Sequence, residues 1–157
     1  MANTDNPNGF MCVKSDFGPI KIEEGLVDTS QTITKGDALI ITAAGLIQIA
    51  VATSGAIYGV AAESVTSAAA GSNIKFIPAL PWYIFEGQCS GSFAADQRGG
   101  TADIEGTTGI MEVNEDASVE DVLVMVREHP DATVGSASAQ IYFRWISSAY
   151  LPVLAAL

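Results

Sequence analysis

A cysteine between two glycines is the feature of this sequence most typical of catalytic chemistry. The stretch Gly87-Gln88-Cys89-Ser90-Gly91 has the spacing that places a hydrolase nucleophile on a sharp turn between a strand and a helix. An acidic residue and then His129 follow Cys89 in the chain order of a hydrolase triad. Residues 92–100, however, are too few and too rich in glycine for the required helix. A turn with a packed cysteine is therefore the favoured interpretation, and a Cys-dependent hydrolase is an alternative.

A lone histidine and a second cysteine are the other reactive groups. His129 precedes Pro130, which favours extended backbone and a surface turn. Cys12 and Cys89 are far apart, with no CxxC pair and no neighbouring histidine, so neither a zinc site nor a redox pair is indicated. We expect two reduced, packed thiols, no catalytic residue and no cofactor.

Two groups of acidic residues could in principle hold a divalent cation. Neither fits the calcium-binding EF-hand pattern, so solvated acidic loops are the favoured interpretation and a stabilising ion is the alternative. Nucleotide-binding glycine motifs and the zinc motif HExxH do not occur in the sequence, and no metal site is expected. The acidic groups are Asp16, Glu23, Glu24 and Asp28, and Glu112, Glu115, Asp116, Glu120 and Asp121.

A set of aromatic residues could form a platform for sugars. Residues at every second position of a strand are also typical of a core, so carbohydrate binding is an alternative and not the main interpretation. The set is Phe76, Trp82, Tyr83, Phe85, Tyr142, Phe143 and Trp145.

The composition predicts one folded domain with an acidic surface. The chain has 157 residues, 48% of them hydrophobic and 16% charged, which is enough apolar area for a core. A net charge of −11 repels nucleic acid and anionic lipid. The start of the chain does not resemble a signal peptide, and no apolar run is long enough for a membrane helix. We expect synthesis and residence in a cytosol, without nucleic acid or membrane partners.

The pattern along the chain predicts a nearly all-β fold, a small barrel or sandwich. Residues 1–30 are polar with little periodicity and predict an extended N-terminal arm, and residues 31–146 predict the β-barrel domain. Residues 117–128 could be a helix, but Val122, Val124 and Val126 alternate and favour a strand. Residues 147–157 form an apolar C-terminal tail that we expect to dock on a neighbour or on the barrel. The predicted strands are residues 39–42, 46–50, 57–64, 74–77, 82–89, 110–113, 122–127 and 140–145.

Several stretches resemble tailed-phage capsid decoration (cement) proteins. The opening residues 1–10, Met-Ala-Asn-Thr-Asp-Asn-Pro-Asn-Gly-Phe, look like the start of many tailed-phage head proteins. The wider resemblance to small β-barrel cement proteins is carried by Ile33-Thr34-Lys35-Gly36-Asp37-Ala38-Leu39, Gly45-Leu46-Ile47, Ile57-Tyr58-Gly59-Val60-Ala61-Ala62, Ile77-Pro78-Ala79-Leu80-Pro81-Trp82 and Phe85-Glu86-Gly87.

This resemblance implies a β-tulip-like barrel with extended termini that assembles as a homotrimer at capsid three-fold or quasi-three-fold positions. Its partner would be the major capsid protein, and its location the outer surface of the virion. The resemblance transfers no catalytic residue. From the apolar positions of the two termini we expect the capsid or inter-subunit contacts to be Phe10, Met11, Val13, Phe17, Ile20, Tyr150, Leu151 and Leu154.

Overall fold

The chain folds into β-strands joined by turns. The computed structural model describes residues 3–67 and 69–149, and in these ranges no helix is long or apolar enough to cross a membrane. A 3-10 helix spans Ala95–Gln97. The strands are β1 Met11–Ser15, β2 Glu23–Val27, β3 Gln31–Ile33, β4 Ala38–Ile41, β5 Ile47–Ile49, β6 Gly59–Ala61, β7 Val65–Ser67, β8 Ser72–Pro78, β9 Tyr83–Gln88, β10 Thr101–Glu105, β11 Glu112–Asn114, β12 Leu123–Glu128 and β13 Gln140–Trp145. The prediction of an all-β fold is confirmed.

The strands form two main layers. A six-stranded sheet has the order β1-β9-β13-β12-β10-β11, and a closed barrel has the order β2-β5-β4-β6-β8. β3 and β7 form a separate two-stranded sheet. Strand pairs are antiparallel except β2 and β5, which run parallel. The prediction of one barrel over residues 31–146 differs from this arrangement, because the barrel lies between Glu23 and Pro78 and the later strands build the open sheet.

Alternation of side chains explains the strands that the sequence predicts well. In β13, Ile141, Phe143 and Trp145 are buried while the residues between them are partly exposed. β8 shows the same alternation, with Ile74 and Phe76 inside the barrel. A strand has two faces, so each of these segments covers the core with one side. Residues 123–128 also form a strand and not a helix.

The core has two parts. The larger part lies between the six-stranded sheet and the barrel and contains the rings of Phe10, Phe85, Phe143 and Trp145. The smaller part fills the barrel and consists of Val27, Ile33, Leu39, Ile47, Ala61, Ile74 and Phe76. The six-stranded sheet and the barrel therefore each turn one apolar face inward, which removes these side chains from water.

The N-terminal residues are part of the body, in contrast to the predicted arm. β1 pairs with β9, and β2 pairs with β8 in the barrel wall. The backbone N–H of Phe10 donates a 2.7 Å hydrogen bond to the carbonyl oxygen of Gly36. At this point Gly9 and Gly36 approach so closely that a Cβ on Gly9 would lie 2.5 Å from the Gly36 oxygen. The sequence did not reveal β1 and β2 because their apolar residues do not alternate cleanly.

The predicted tail begins at a short contact with the barrel region. The N–H of Ile57 donates to the carbonyl oxygen of Ser147, and the N–H of Ala149 donates to the carbonyl oxygen of Ile57, both at 3.0 Å. The predicted contact residues Tyr150, Leu151 and Leu154 lie outside the described residues.

Candidate interaction surface

Cys89 lies in the core and is far from His129. Its side chain is fully buried, and burial, followed by the charge of Glu115, raises the pKa of the thiol well above its usual range. The N–H of Cys89 pairs with Ala139, whereas the N–H of His129 pairs with Gln140, on the opposite side of β13. Two strand spacings, about 10 Å, therefore separate the backbones at Cys89 and His129. The geometry does not supply the thiolate and base of a hydrolase.

His129 lies in a turn, as predicted. Its carbonyl oxygen accepts a 2.9 Å hydrogen bond from the N–H of Ala132, and its Nδ1 accepts one of 3.1 Å from the N–H of Asp131. The imidazole packs against the ring of Tyr142, with the ring centroids 5.5 Å apart. These contacts give the histidine a local structural role in the turn.

The two acidic groups differ from the expected solvated loops, because Glu23, Glu24 and Glu112 lie in strands and Glu115 is buried. In residues 3–67 and 69–149, no three His, Cys, Asp or Glu side chains converge closely enough to hold a metal ion. Asp16 pairs with Arg144 at 2.6 Å, and this hydrogen bond lowers the pKa of the Asp16 carboxyl. Glu115, in contrast, is buried and its carboxylate lies against Gly91.

The aromatic set is mostly core and does not form a sugar platform. Of the seven aromatic residues, only Trp82 and Tyr142 are partly exposed. Phe17 lies near Trp82, with the ring centroids 6.4 Å apart and an interplanar angle of 76°. Five of the seven rings are buried and cannot stack against a sugar.

An exposed apolar strip runs along the edge of the six-stranded sheet and the segment that follows it. Phe17 is 76% exposed and Met11 58% exposed, and the other side chains of the strip are also exposed. β1 is an edge strand, so no strand of the described residues pairs with its outer side, beside these side chains. The apolar strip consists of Met11, Val13, Phe17, Ile20 and Ile22.

The strip lies beside a groove between β1 and the barrel. The groove has a volume of about 440 Å³. Met11 and Ile22 belong to both the strip and the groove lining, so the apolar surface continues inward. The other lining residues are Asn8, Phe10, Cys12, Lys35, Gly36, Val60, Ala61, Ala62 and Ile77.

The structure places the predicted contact residues that it describes in two different environments. Met11, Val13, Phe17 and Ile20 are exposed and belong to the strip. Phe10 is buried in the core, so it is not available to a partner. Ile22, directly before β2, is 61% exposed and completes the strip.

Comparison with known proteins does not assign this surface. No protein-family model matches the sequence, and a search of curated proteins finds no match.

Proposed function

We propose that this protein is a structural virion protein that binds the outer surface of an expanded tailed-phage capsid and stabilises it. Its partners are the major capsid protein and two further copies of itself, in a homotrimer at three-fold or quasi-three-fold positions. It is made in the host cytoplasm and ends on the capsid exterior. The proposal includes the finer fold description of a β-tulip-like barrel with an apolar C-terminal tail.

The apolar strip is the observation that supports this proposal best. Large exposed apolar patches mark surfaces that bind other proteins. Here five apolar side chains occur within residues 11–22 and lie next to an open strand edge. Fully burying a side chain of this kind stabilises a complex by about 1.5–3 kcal/mol before the losses on association.

The position of Met11 and Val13 on a formed strand reduces the entropy lost on binding. A disordered arm loses about 1–2 kcal/mol of backbone entropy per residue when it becomes ordered on a partner. β1 is already ordered by its pairing with β9. Binding only to the expanded shell then stabilises that shell by mass action, without any chemical reaction.

A capsid titration tests the proposal. Purified protein is mixed with expanded, undecorated tailed-phage capsids from the same source, and attachment is measured by co-sedimentation and imaged by cryo-electron microscopy. Phe17→Ser should weaken attachment by about tenfold or more. Val51→Ser is the matched control, because Val51 is also exposed, at 54%, but lies outside the strip. Absence of wild-type attachment would refute the proposal, and equal attachment by both variants would exclude the strip as the binding surface.

A further inference from the structure

Two β-bulges shape a depression on the outer face of the six-stranded sheet. The pairing of β1 with β9 is irregular between Cys12 and Lys14, and the pairing of β12 with β13 is irregular between Met125 and Arg127. Each bulge leaves one valine without a paired residue, Val13 and Val126. Between the two bulges lies a valley of about 250 Å³, which is lined by Val13, Lys14, Ile84, Val126, Arg127 and Tyr142. Bulges often direct side chains at functional surfaces.

The valley combines an apolar lining with two cationic groups. Lys14 lies on the β1 side, where its Nζ is 3.4 Å from Oδ1 of Asp16, and Arg127 lies on the β12 side. The guanidinium carbon of Arg127 lies 5.1 Å from the centroid of the Tyr142 ring. In residues 3–67 and 69–149, Arg127 forms no ion pair with a carboxylate. The valley therefore fits an apolar group that is flanked by carboxylates.

A complementary protrusion, here called the knob, is formed by Val119, Glu120 and Asp121 of the same molecule. Val119 is 84% exposed, more than any other large apolar side chain of the described part of the chain. It is followed directly by Glu120 and Asp121. An apolar side chain with two neighbouring carboxylates is the chemistry that the valley can accept.

Asp103 holds this knob in a defined conformation. The carboxylate of Asp103 is buried and accepts backbone N–H hydrogen bonds from Val119 at 2.9 Å, Glu120 at 3.1 Å and Asp121 at 2.7 Å. Asp121 has a positive φ of 51°, which few residues adopt without support. The knob is thus ordered before any partner arrives, which reduces the entropy lost on association.

The knob cannot reach the valley of its own molecule. From Asp121 to Val126 the chain continues into β12, and an extended chain of this length spans about 16 Å. The hydrogen bonds to Asp103 prevent the loop from folding back over that distance. A Val119 side chain that enters the valley therefore belongs to another molecule.

We propose that the Val119 knob of one copy docks in the valley of a second copy, with Glu120 and Asp121 opposite Arg127 and Lys14. The contact joins two different surfaces, so each copy can give its knob to one neighbour and receive a knob from another. Such a head-to-tail contact generates a closed ring when the rotation allows it. The inference rests on the self-association in the proposed function, and it names the surfaces that produce it.

Sedimentation velocity of the full chain over a range of concentrations tests the contact. The wild type should self-associate, and more weakly at high salt because ion pairs at the rim are screened. Val119→Asp removes the knob and Arg127→Glu alters the valley, and each should weaken self-association by about tenfold or more. Val51→Asp is the control and should associate like the wild type. Circular dichroism and thermal unfolding of each variant verify the fold.

A mixture of the two variants distinguishes this head-to-tail contact from a symmetric contact between two identical surfaces. Arg127→Glu retains an intact knob and Val119→Asp retains an intact valley, so an equimolar mixture should form heterodimers that do not grow further. A monomeric wild type, unaltered self-association of both variants, or a mixture without heterodimers would each overturn the inference.

Capsid co-sedimentation of the same proteins distinguishes the two proposals. Wild-type self-association without capsid attachment would refute the proposed function alone. Attachment of the wild type together with unchanged self-association of both variants would refute the knob and valley contact alone.

Discussion

The ring of Phe10 lies edge-to-face against the ring of Phe143, with the ring centroids 5.4 Å apart. A second edge contact joins Phe10 to Trp145 at 5.5 Å, and Phe10 is only 3% exposed. Edge-to-face aromatic pairs contribute beyond the area that they bury. The residues directly before β1 thus complete the core between the six-stranded sheet and the barrel.

Removal of this ring should destabilise the protein strongly. We expect Phe10→Ala to lower the free energy of unfolding by about 3–5 kcal/mol, because it leaves a cavity between Phe143 and Trp145. Phe17→Ala is the matched control, since Phe17 is exposed, and should change the free energy by no more than about 0.5 kcal/mol. Urea denaturation measures both values, and equal effects of the two variants would contradict the assignment of Phe10 to the core.

Deletion of residues 2–20 should also lower the thermal midpoint. The deletion removes Phe10 and the whole of β1, which pairs with β9. An independent arm would leave the midpoint of the isolated protein almost unchanged, so calorimetry of the truncated protein distinguishes an independent arm from an N-terminal segment that is part of the fold.

The stability of the protein should fall as the pH rises above 4.5, the ordinary pKa of a glutamate. Burial raises the pKa of Glu115 above its ordinary value of 4.5, and the charges of Asp116 and Glu105 raise it further, although the backbone N–H groups of Glu115 and Gly91 oppose part of the rise. Neither carboxylate oxygen makes a hydrogen bond of good geometry within the described residues. Because the folded state binds this proton more tightly than the unfolded state, the contribution is complete below pH 4.5 and is lost as the pH passes the folded-state pKa.

Glu115→Gln should make stability less dependent on pH. The neutral amide has no charge to bury, so the free energy of unfolding should decline less between acid and neutral pH than in the wild type. A smaller decline should persist, because burial also raises the pKa of Glu112. Glu24→Gln, on the exposed face of β2, is the control. Unchanged pH dependence in Glu115→Gln would show that this carboxylate is not the source.

Both thiols should be unreactive in the folded protein at neutral pH. Burial raises the pKa of Cys12 to about 11 and that of Cys89 further, so thiolate, the reactive form, is scarce. A disulfide exchange reagent should label both cysteines only after unfolding. Cys89→Ala should lower the free energy of unfolding by about 1 kcal/mol and leave capsid attachment intact. Rapid labelling of Cys89 in the folded state would revive the hydrolase alternative.

Asp103 should control the order of the Val119 loop. Asp103→Ala removes the acceptor of three backbone N–H groups, and we expect a loss of about 1–3 kcal/mol in the free energy of unfolding and faster amide exchange at residues 119–121. Asp103→Asn retains the Oδ1 acceptor used by Glu120 and Asp121 and should have a smaller effect. Hydrogen exchange followed by mass spectrometry compares the two, and equal exchange in wild type and Asp103→Ala would contradict this role.

Sequence alone was sufficient for the fold class and for several strands. In β8 and β13 polar and apolar residues alternate, and a strand is the element that places alternate residues on opposite faces. The residues directly after Cys89 also disfavour a hydrolase turn, because this segment is too short for the helix that such a turn requires. The structure agrees, with only the short 3-10 helix Ala95–Gln97 in that segment.

Only the tertiary structure decided which apolar residues of the N-terminal region face water. Phe10 and Phe17 both precede the first predicted strand and look alike in the sequence, yet Phe10 is buried and Phe17 is exposed. The difference arises because Cys12 in β1 pairs opposite Phe85 in β9, and this pairing directs the preceding ring into the core. Strand partners, bulges and buried groups such as Glu115 depend on residues distant in the chain, and a local pattern of side chains contains no information about them.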